Sequence, residues 1–265
     1  MKPSIALIIN TYDQPEYLGR VLRAVSMQAA PPAEVLVADD GSDERTAQVF
    51  AEWAAAHSGR SEHIWQPHDG FRRSRILNEA MSRARADYVV FLDGDTVPHP
   101  RFIFDHQQLA QPERFIQGHR ALIGRRSART FGVGNFRKER RQALLGRDVS
   151  GWKHAYRWPM PLRRVRRDLR GVRGCNLGIW REHLVKVNGY NEEFTGWGRE
   201  DSELAVRLVN NGVLRVDVRG WALCYHLWHA PLSRSKLPAN DQLLADAVRE
   251  GSRTCRLGLS QHPSD

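Results

Sequence analysis

Short apolar segments recur through the first hundred residues and predict four β-strands, at residues 4–10, 34–38, 62–66 and 88–92. Unbroken apolar runs such as 88–92 are typical of strands buried on both faces, as in a parallel sheet. Helix signals lie between the strands, at residues 14–28, 43–57 and 72–85. Pro15 suits the first turn of the first helix, and Asp43 or Ser42 can cap the second. Strands joined by helical crossovers predict an α/β domain of the nucleotide-binding type.

The pattern changes beyond residue 110. Residues 112–170 show poor periodicity and predict long loops, whereas ordered elements return afterwards. Strands are predicted near residues 175–180, 214–218 and 222–226, and helices at 181–187, 200–210 and 241–249, with a frayed end after the last. We therefore divide the chain into a nucleotide-binding half (1–110), a basic loop-rich insertion (111–172), an acceptor half (173–232) and a C-terminal helix and tail (233–265).

Composition narrows the class of protein. The chain has 265 residues, of which 41% are hydrophobic and 26% charged, values typical of a folded domain with a real core. Its longest apolar runs are strand-sized, far below the roughly 20 residues of a membrane span. We see no secretory signal, and the three cysteines form no CxxC pair. These features favour a cytoplasmic protein, with attachment to the inner face of the cytoplasmic membrane as an option.

The positive charge is concentrated in one segment. The net charge is +10, yet residues 114–173 alone carry sixteen arginines and two lysines against three acidic residues. Such a segment suits an anionic membrane surface, a phosphorylated substrate or nucleic acid. A plain solvated surface in an arginine-rich protein explains it as well.

Acidic pairs follow two of the predicted strands. Asp93 and Asp95 come directly after 88–92, and Asp39 and Asp40 follow 34–38. Ligands of open α/β sheets bind outside the carboxyl ends of the strands, where two acids one residue apart can hold a divalent ion that bridges a diphosphate. A turn or a helix cap is the simpler reading of each pair.

Two further groups of chemically active residues lie in the acceptor half. The loop GWGRED at 196–201 places an indole and two acids at a helix N-terminus, where charged carboxylates are favoured. HLWH at 226–229 follows a late strand. Both histidines can bind one metal only if the strand bends or ends there, because alternation would place them on opposite faces.

Taken in order, these motifs resemble the nucleotide-sugar-dependent glycosyltransferases of the GT-A fold. The N-terminal half is similar to glycosyltransferase family 2 through IINTY at 8–12, VADDGS at 37–42, DGF at 69–71 and YVVFLDGD at 88–95. Residues 173–229 resemble β-1,4-galactosyltransferases and chondroitin-polymerase-type enzymes through NGY at 188–190, GWGRED and HLWH. The implied fold is α/β, with a mostly parallel, Rossmann-like sheet flanked by helices and a C-terminal acceptor-binding portion.

The resemblance implies roles for particular residues. The nucleotide-sugar contacts it implies are Thr11, Asp39, Asp40, Phe71, Arg73, Arg75 and Asp93. The implied metal ligands are Asp95, His229 and His226, although galactosyltransferases have Met at the last position. Trp197 and Glu200 would hold the acceptor, and Asp201 would be the catalytic base. Arg199 departs from the galactosyltransferase pattern, which has Gly there.

The sequence therefore predicts a metal-dependent, inverting glycosyltransferase that uses Mn²⁺ or Mg²⁺ and a nucleoside-diphosphate sugar, with UDP as the expected nucleotide. The acceptor would be a glycan or a lipid-linked glycan of polysaccharide or lipopolysaccharide synthesis, and residues 114–173 would meet an anionic membrane surface. One alternative is a retaining transferase on the same fold. A basic nucleic-acid-binding protein is the other, but it leaves the acidic motifs unexplained, so we expect no nucleic-acid partner.

Overall fold

Parallel strands form one half of the central sheet. The chain is described here as a computed structural model over residues 2–231 and 233–262. Its strands are β1 (Ile5–Thr11), β2 (Glu34–Asp39), β3 (Arg60–Trp65), β4 (Tyr88–Asp93), β5 (Thr96–Pro98), β6 (Arg114–Gln117), β7 (Arg120–Ile123), β8 (Val149–Ser150), β9 (Leu162–Arg166), β10 (Asn176–Trp180), β11 (Leu214–Arg219) and β12 (Cys224–Leu227). The helices are α1 (Pro15–Ser26), α2 (Glu44–Ala55), α3 (Arg73–Arg83), α4 (Phe102–Leu109), α5 (Arg125–Ala128), α6 (Phe136–Leu145), α7 (Arg181–Lys186), α8 (Glu200–Asn210) and α9 (Leu237–Glu250).

Eight strands form the large sheet, in the order β3-β2-β1-β4-β10-β6-β11-β9. The first four are mutually parallel, whereas β10 runs antiparallel to both of its neighbours. A second sheet, β5-β12-β7-β8, lies beside the end of β4. The predicted parallel α/β core is therefore confirmed, and the antiparallel β10 is the point at which the sheet continues into the acceptor half.

Two hydrophobic clusters cover the two faces of the large sheet. Alternate residues of β1 divide between them, with Ile5, Leu7 and Ile9 packing beside α1 and α4, and Ala6 and Ile8 beside α3. All five are fully buried, as expected for a strand in the middle of a two-faced sheet. This packing fixes the ends of β1 and β4, which carry the acidic residues.

The expectation of long loops over 112–170 is wrong. This segment contains β6, β7, β8 and β9 together with α5 and α6, and it contributes strands to both sheets. Most of these elements are only two to five residues long, too short to show periodicity, and arginine-rich strands such as β9 carry no apolar signal. Arg157 anchors the segment through hydrogen bonds of 2.7 to 3.1 Å to both carboxylate oxygens of the buried Asp105 on α4.

The prediction of a frayed end is also wrong for residues 251–262. Leu259 N–H donates to the Asn188 carbonyl at 2.9 Å, and Glu192 N–H donates to the Leu257 carbonyl at 3.0 Å. The Asn188 side-chain amide donates in turn to the Cys255 carbonyl. Residues 263–265 of the predicted tail, like Met1 and Leu232, lie outside the described residues. Among the described helices, none combines the length and apolarity that a membrane span requires.

Candidate active site

A cleft of about 850 Å³ opens at the carboxyl ends of β1 and β4. One wall comes from β7 and the end of β12, and another from the loop before α8. The Gly94 N–H donates to the Asn10 carbonyl at 2.8 Å, which ties the turn after β4 to the end of β1. The sheet thus brings together motifs that are more than a hundred residues apart in the chain.

Three potential metal ligands converge in this cleft. His229 Nε2 lies 3.2 Å and His226 Nε2 lies 3.6 Å from Asp95 Oδ2. Ligand atoms of the three side chains all lie within 4.8 Å of one another. One carboxylate and two imidazoles at this separation fit a divalent cation of the transition series.

The end of β12 explains how both histidines face one carboxylate. Regular pairing stops at Leu227, whose N–H donates to the Asp95 carbonyl at 2.9 Å. The Tyr17 hydroxyl on α1 then holds the Trp228 carbonyl at 2.9 Å. Because the strand ends before His229, its ring lies 5.0 Å from that of His226 instead of on the opposite face.

Burial dominates the electrostatics of these groups. It raises the pKa of both the Asp93 and the Asp95 carboxyl. Nearby positive charge opposes this rise, from Arg73 at Asp93 and from His229 at Asp95. Burial, reinforced by Arg120, lowers the pKa of His226 to about 4, which leaves the imidazole neutral and free to act as a metal ligand at neutral pH. His226 therefore adds no positive charge to this group of ligands at neutral pH.

Arg73 links the acids of the two halves. Its guanidinium lies 3.0 Å from Asp201, 3.3 Å from Glu200 and 3.6 Å from Asp93. Burial works to lower its pKa, but the carboxylates of Asp201, Glu200 and Asp93, together with Tyr190, raise that pKa well above the usual value. Arg73 therefore stays charged and fixes the position of α8 relative to β4.

Asp201 is held by three donors. Arg73 and the Tyr190 hydroxyl (3.2 Å) share Oδ1, and the Gly174 N–H donates to Oδ2 at 2.6 Å. A carboxylate offers about four acceptor positions, so about one remains for a hydroxyl in the cleft.

Glu200 differs from its neighbour. Burial, followed by the charge of Asp201, raises the pKa of its carboxyl to about 7. Its Oε2 has no hydrogen-bond partner within the part of the chain that the structure describes. Near neutral pH a carboxyl of this kind can donate a hydrogen bond instead of accepting one.

The loop before α8 is shaped by left-handed backbone. Gly196, Gly198 and Arg199 have φ values of +73°, +107° and +81°. The left-handed conformation at Arg199 explains why Gly is the residue of the similar galactosyltransferase loop. In this chain the Arg199 side chain pairs with Asp241 on α9, so the loop is fastened to the C-terminal helix.

The predicted nucleotide contacts are only partly brought together. Thr11, Asp40, Phe71, Arg73 and Asp93 line the cleft. Asp39 and Arg75 do not. Asp39 is fully buried and accepts from Ser42 N–H and His63, and Arg75 donates at 2.6 Å to Gln66, which donates to Asp40 at 2.5 Å.

Sequence reasoning missed several lining residues. Lining residues without an assigned role include Tyr12, Arg120, Arg173, Trp228 and Arg234. Arg120 lies on β7, in the segment expected to be loop, and influences both Asp93 and Asp95. Tyr12 is half-exposed and stacks on His68 with ring centroids 4.8 Å apart. Tyr12 and Trp228 belong to the motifs IINTY and HLWH, which was the available signal, whereas Arg120 and Arg234 had none.

The fold and this cleft define the class: an α/β, GT-A-type glycosyltransferase. The pattern of the family described as "Glycosyl transferase family 2" matches residues 6–184, and the chain belongs to that family. A second pattern, described as "N-terminal domain of galactosyltransferase", matches residues 160–229. The two matches together cover both groups of motifs, and the enzyme class is therefore established.

Curated relatives agree with this class. The chain is 26% identical over 242 residues to the chondroitin synthase of Escherichia coli, covering 84% of this chain and 34% of that protein. It is also 26% identical over 237 residues to a validoxylamine A glucosyltransferase of Streptomyces hygroscopicus subsp. limoneus, covering 83% and 51%. The chain thus spans between a third and a half of the length of these relatives.

Solved structures show the same fold. S. aureus TarS 1-349 superposes with a TM-score of 0.67 at 13% identity, over 98% of this chain and 68% of that one. The mannosyltransferase PcManGT from Pyrobaculum calidifontis, in complex with GDP-Man and Mn²⁺, gives a TM-score of 0.58 at 17% identity, over 95% and 72%.

Proposed function

We propose that this chain is a metal-dependent, inverting glycosyltransferase that moves a sugar from a nucleoside diphosphate, UDP in the first instance, to a hydroxyl of a glycan or lipid-linked glycan. Surface polysaccharide or lipopolysaccharide synthesis is the proposed setting, supported by relatives named for polysaccharide synthesis. The observation that carries the proposal is the convergence of Asp95, His226 and His229 in the same cleft as the Arg73–Asp201 pair.

The donor end of the proposed site is assigned to residues that line the cleft. Thr11, Asp40 and Phe71 are proposed to contact the nucleoside, and Asp93 the ribose or the sugar. Asp39 and Arg75 are proposed to act indirectly, since Asp39 holds the turn at Ser42 and Arg75 holds Gln66 against Asp40.

Asp95, His226 and His229 are proposed to hold the divalent cation, which when bound supplies positive charge to the leaving diphosphate. Imidazole ligands suit transition metals better than Mg²⁺. We therefore propose that the site binds Mn²⁺ more tightly than Mg²⁺, the other expected ion. The PcManGT complex with Mn²⁺ supports a metal of this kind on the same fold.

Asp201 is the proposed base. The acceptor oxygen forms a bond to the anomeric carbon as the bond from that carbon to the diphosphate breaks, and the acceptor proton passes to a free lone pair of Asp201. Arg73 and the Gly174 N–H keep the carboxylate oriented towards the cleft. General-base assistance of this kind contributes about 10²- to 10⁴-fold. The anomeric configuration of the product separates inversion from the retaining alternative.

An anionic membrane surface is proposed as a second partner, through the outer edge of the large sheet. β9 is the edge strand and carries the exposed Arg163 and Arg164, and the exposed Arg167 directly follows it. Leu162 and Val165 of the same strand are also exposed, by 56% and 55%. Basic side chains near an acidic membrane contribute about 1 kcal/mol each, and exposed apolar groups add to the attachment.

The donor proposal is tested by thermal-shift measurements with UDP-, GDP- and dTDP-sugars, each with and without Mn²⁺. Ligand at about a hundred times its dissociation constant stabilises a protein by about 2.7 kcal/mol. We expect stabilisation by a UDP-sugar with Mn²⁺ and much less without it. Equal melting temperatures under all conditions would refute the donor assignment.

A further inference from the structure

Five arginines line the cleft within the described residues, and their partners differ. Arg73 is matched by three carboxylates, and Arg199 pairs with Asp241. Arg120 donates to Cys175 Sγ and lies in the field of Asp93. Arg173 and Arg234 form no ion pair with any carboxylate of residues 2–231 or 233–262. Two positive charges of the cleft are therefore left for a ligand.

Arg234 lies against the proposed acceptor platform. Its guanidinium carbon is 5.1 Å from the ring centroid of Trp197, the indole of the loop before α8. Arg173 directly precedes Gly174, whose N–H holds Asp201. Both unmatched arginines thus lie beside Trp197 and Asp201, the residues expected at the acceptor, whereas Asp95 follows β4 and the two histidines lie at the end of β12 and just beyond it.

The start of α9 keeps Arg234 in this place. The Leu237 N–H donates to the Arg234 carbonyl at 3.0 Å. The buried Asn240 side chain donates to the carbonyls of Thr195 and Gly198, and an added Cβ at Gly196 would lie 2.7 Å from that of Lys236. Arg234 is therefore carried on a segment that is packed directly on the acceptor loop.

We propose that the acceptor end of the cleft recognises a sugar that bears an anionic group, a carboxylate or a phosphate, with Arg234 as the main contact and Arg173 as the second. Because the Arg234 guanidinium lies over the Trp197 ring, a sugar that packs against the exposed part of this indole would place a charged substituent within its reach. Arginine suits both anions because its planar donors match their oxygens. This inference rests on the proposed function and extends it to the class of acceptor.

The proposal is tested by equilibrium binding of three aryl sugars: 4-nitrophenyl β-glucoside, 4-nitrophenyl β-glucuronide and the 6-phosphate of the glucoside. Binding is measured by ligand-observed NMR in the presence of UDP and Mg²⁺, which avoids the paramagnetic ion. We expect at least one anionic probe to bind about tenfold more tightly than the neutral glucoside, as charge-assisted hydrogen bonds predict. The probe that binds more tightly identifies carboxylate or phosphate as the source of the charge.

Arg234→Gln should remove this preference, and Arg173→Gln should reduce it. Affinity for the neutral glucoside and for UDP should stay unchanged. Arg253→Gln, an exposed arginine of the C-terminal tail, is the matched control and should behave as wild type. The preference should also weaken with rising salt because the two arginines are exposed.

Three results would overturn the inference. One is equal or undetectable binding of neutral and anionic probes to the wild type, and another is a preference that survives Arg234→Gln. The third is a loss of UDP affinity in Arg234→Gln with the acceptor preference intact, which would assign this arginine to the donor. Failure of the wild type to bind UDP is a separate result that contradicts the proposed function instead.

Discussion

Arg73 is the residue on which the two halves of the cleft meet. Its guanidinium is buried and contacts acids from β4 and from α8, and it stacks over the Tyr190 ring with its central carbon 5.6 Å from the centroid. Replacing this buried cation would leave its three acidic partners uncompensated, which is strongly destabilising. Substitutions of Arg73 therefore confuse stability with catalysis, and the acids around it give cleaner tests.

Asp201→Asn is the direct test of the base. The amide is nearly isosteric, so packing and the affinity for donor and metal should be preserved, whereas transfer should fall by about 10²- to 10⁴-fold. The measurement is the initial rate of sugar transfer at saturating donor, with UDP binding as the control. A variant that keeps more than about a tenth of the wild-type rate would exclude Asp201 as the base.

Glu200 gives a pH-dependent contribution to stability. The folded state keeps this proton to about pH 7, against a reference pKa of 4.5. Between those values the folded state binds more protons than the unfolded state, so the free energy of unfolding falls as the pH rises. Burial and Asp201 drive the effect, Arg73 opposes it and Asp93 adds to it.

Relative to the wild type, Glu200→Gln should therefore raise the free energy of unfolding by up to about 3 kcal/mol above pH 7 and leave it unchanged below about pH 4.5. Denaturant unfolding of both proteins across this range, in EDTA, measures the difference. Asp40, Asp93 and Asp95 also have raised pKa values and act in the same direction, so only the difference between variant and wild type isolates Glu200. A constant difference at all pH values would contradict the assignment.

The placement of individual residues in the cleft was predictable where a motif fixed them at the end of a strand. Asp93 and Asp95 follow a long apolar run, and the turn after it can face only one edge of the sheet. Asp39 and Asp40 are adjacent on a strand end, and sequence alone could not tell which one faces the cleft. Arg75 was assigned by resemblance, whereas the pitch of α3 turns it towards Gln66 and Glu79.

At the scale of elements, the turn between β4 and β5 is tightly packed against the end of β1. A Cβ at Gly94 would lie 2.9 Å from Thr11 Oγ1 and 3.0 Å from the Asn10 carbonyl, closer than ordinary packing allows. Gly94→Ala should therefore push the ends of β1 and β4 apart and displace Asp93 and Asp95.

We expect that variant to lose at least about tenfold in UDP affinity with Mn²⁺, measured by calorimetry, because misplacement by about an ångström is enough to spoil a site. Gly19→Ala, inside α1, is the control, since its added Cβ meets only Val49 Cγ1 at 3.4 Å. Alanine is favoured over glycine inside a helix, so the control should bind normally. Equal affinities of the two variants would show that the turn is not a constraint.

Long elements were predictable and short ones were not. The bounds of α8 agree with the sequence prediction because acids at its start and Asn211-Gly212 at its end mark both termini. The sequence did not predict β9 because Leu162 and Val165 are its only apolar residues and both are exposed. The sequence did not predict the ordered C-terminal tail because its contacts with residues 188–192, such as Leu259 N–H to the Asn188 carbonyl and His262 to Glu192, leave no periodic pattern along the chain.

At the scale of the whole molecule, charge is distributed by segment. Residues 114–173 hold the excess of arginine, and some of it is used internally, as Arg157 is with Asp105 and Arg166 with Asp168. The arginines that remain exposed along β9 form the proposed membrane surface. Its binding should be electrostatic and should weaken as salt shortens the Debye length below roughly 8 Å.

Replacing Arg163, Arg164 and Arg167 with Gln should abolish co-sedimentation with anionic vesicles at low salt. The control has the same change of net charge elsewhere: Arg23, Arg85 and Arg253 replaced with Gln, all exposed. It should bind as the wild type does. If both triple variants lose binding equally, net charge alone is responsible, and if the wild type pellets equally with neutral vesicles, the membrane proposal fails.

The central claim is that one cleft joins a metal-held nucleotide to an acceptor base, and binding of Mn²⁺ tests it most directly. The signal of free Mn²⁺ in electron paramagnetic resonance falls when the ion is bound, and it can be titrated with and without UDP. We expect UDP to tighten Mn²⁺ binding in the wild type, because the linkage between two ligands of one site is reciprocal. Asp95→Ala should lose this coupling and His229→Ala should weaken it. A wild type that binds no Mn²⁺ with UDP, or an Asp95→Ala variant that binds it unchanged, would contradict the account.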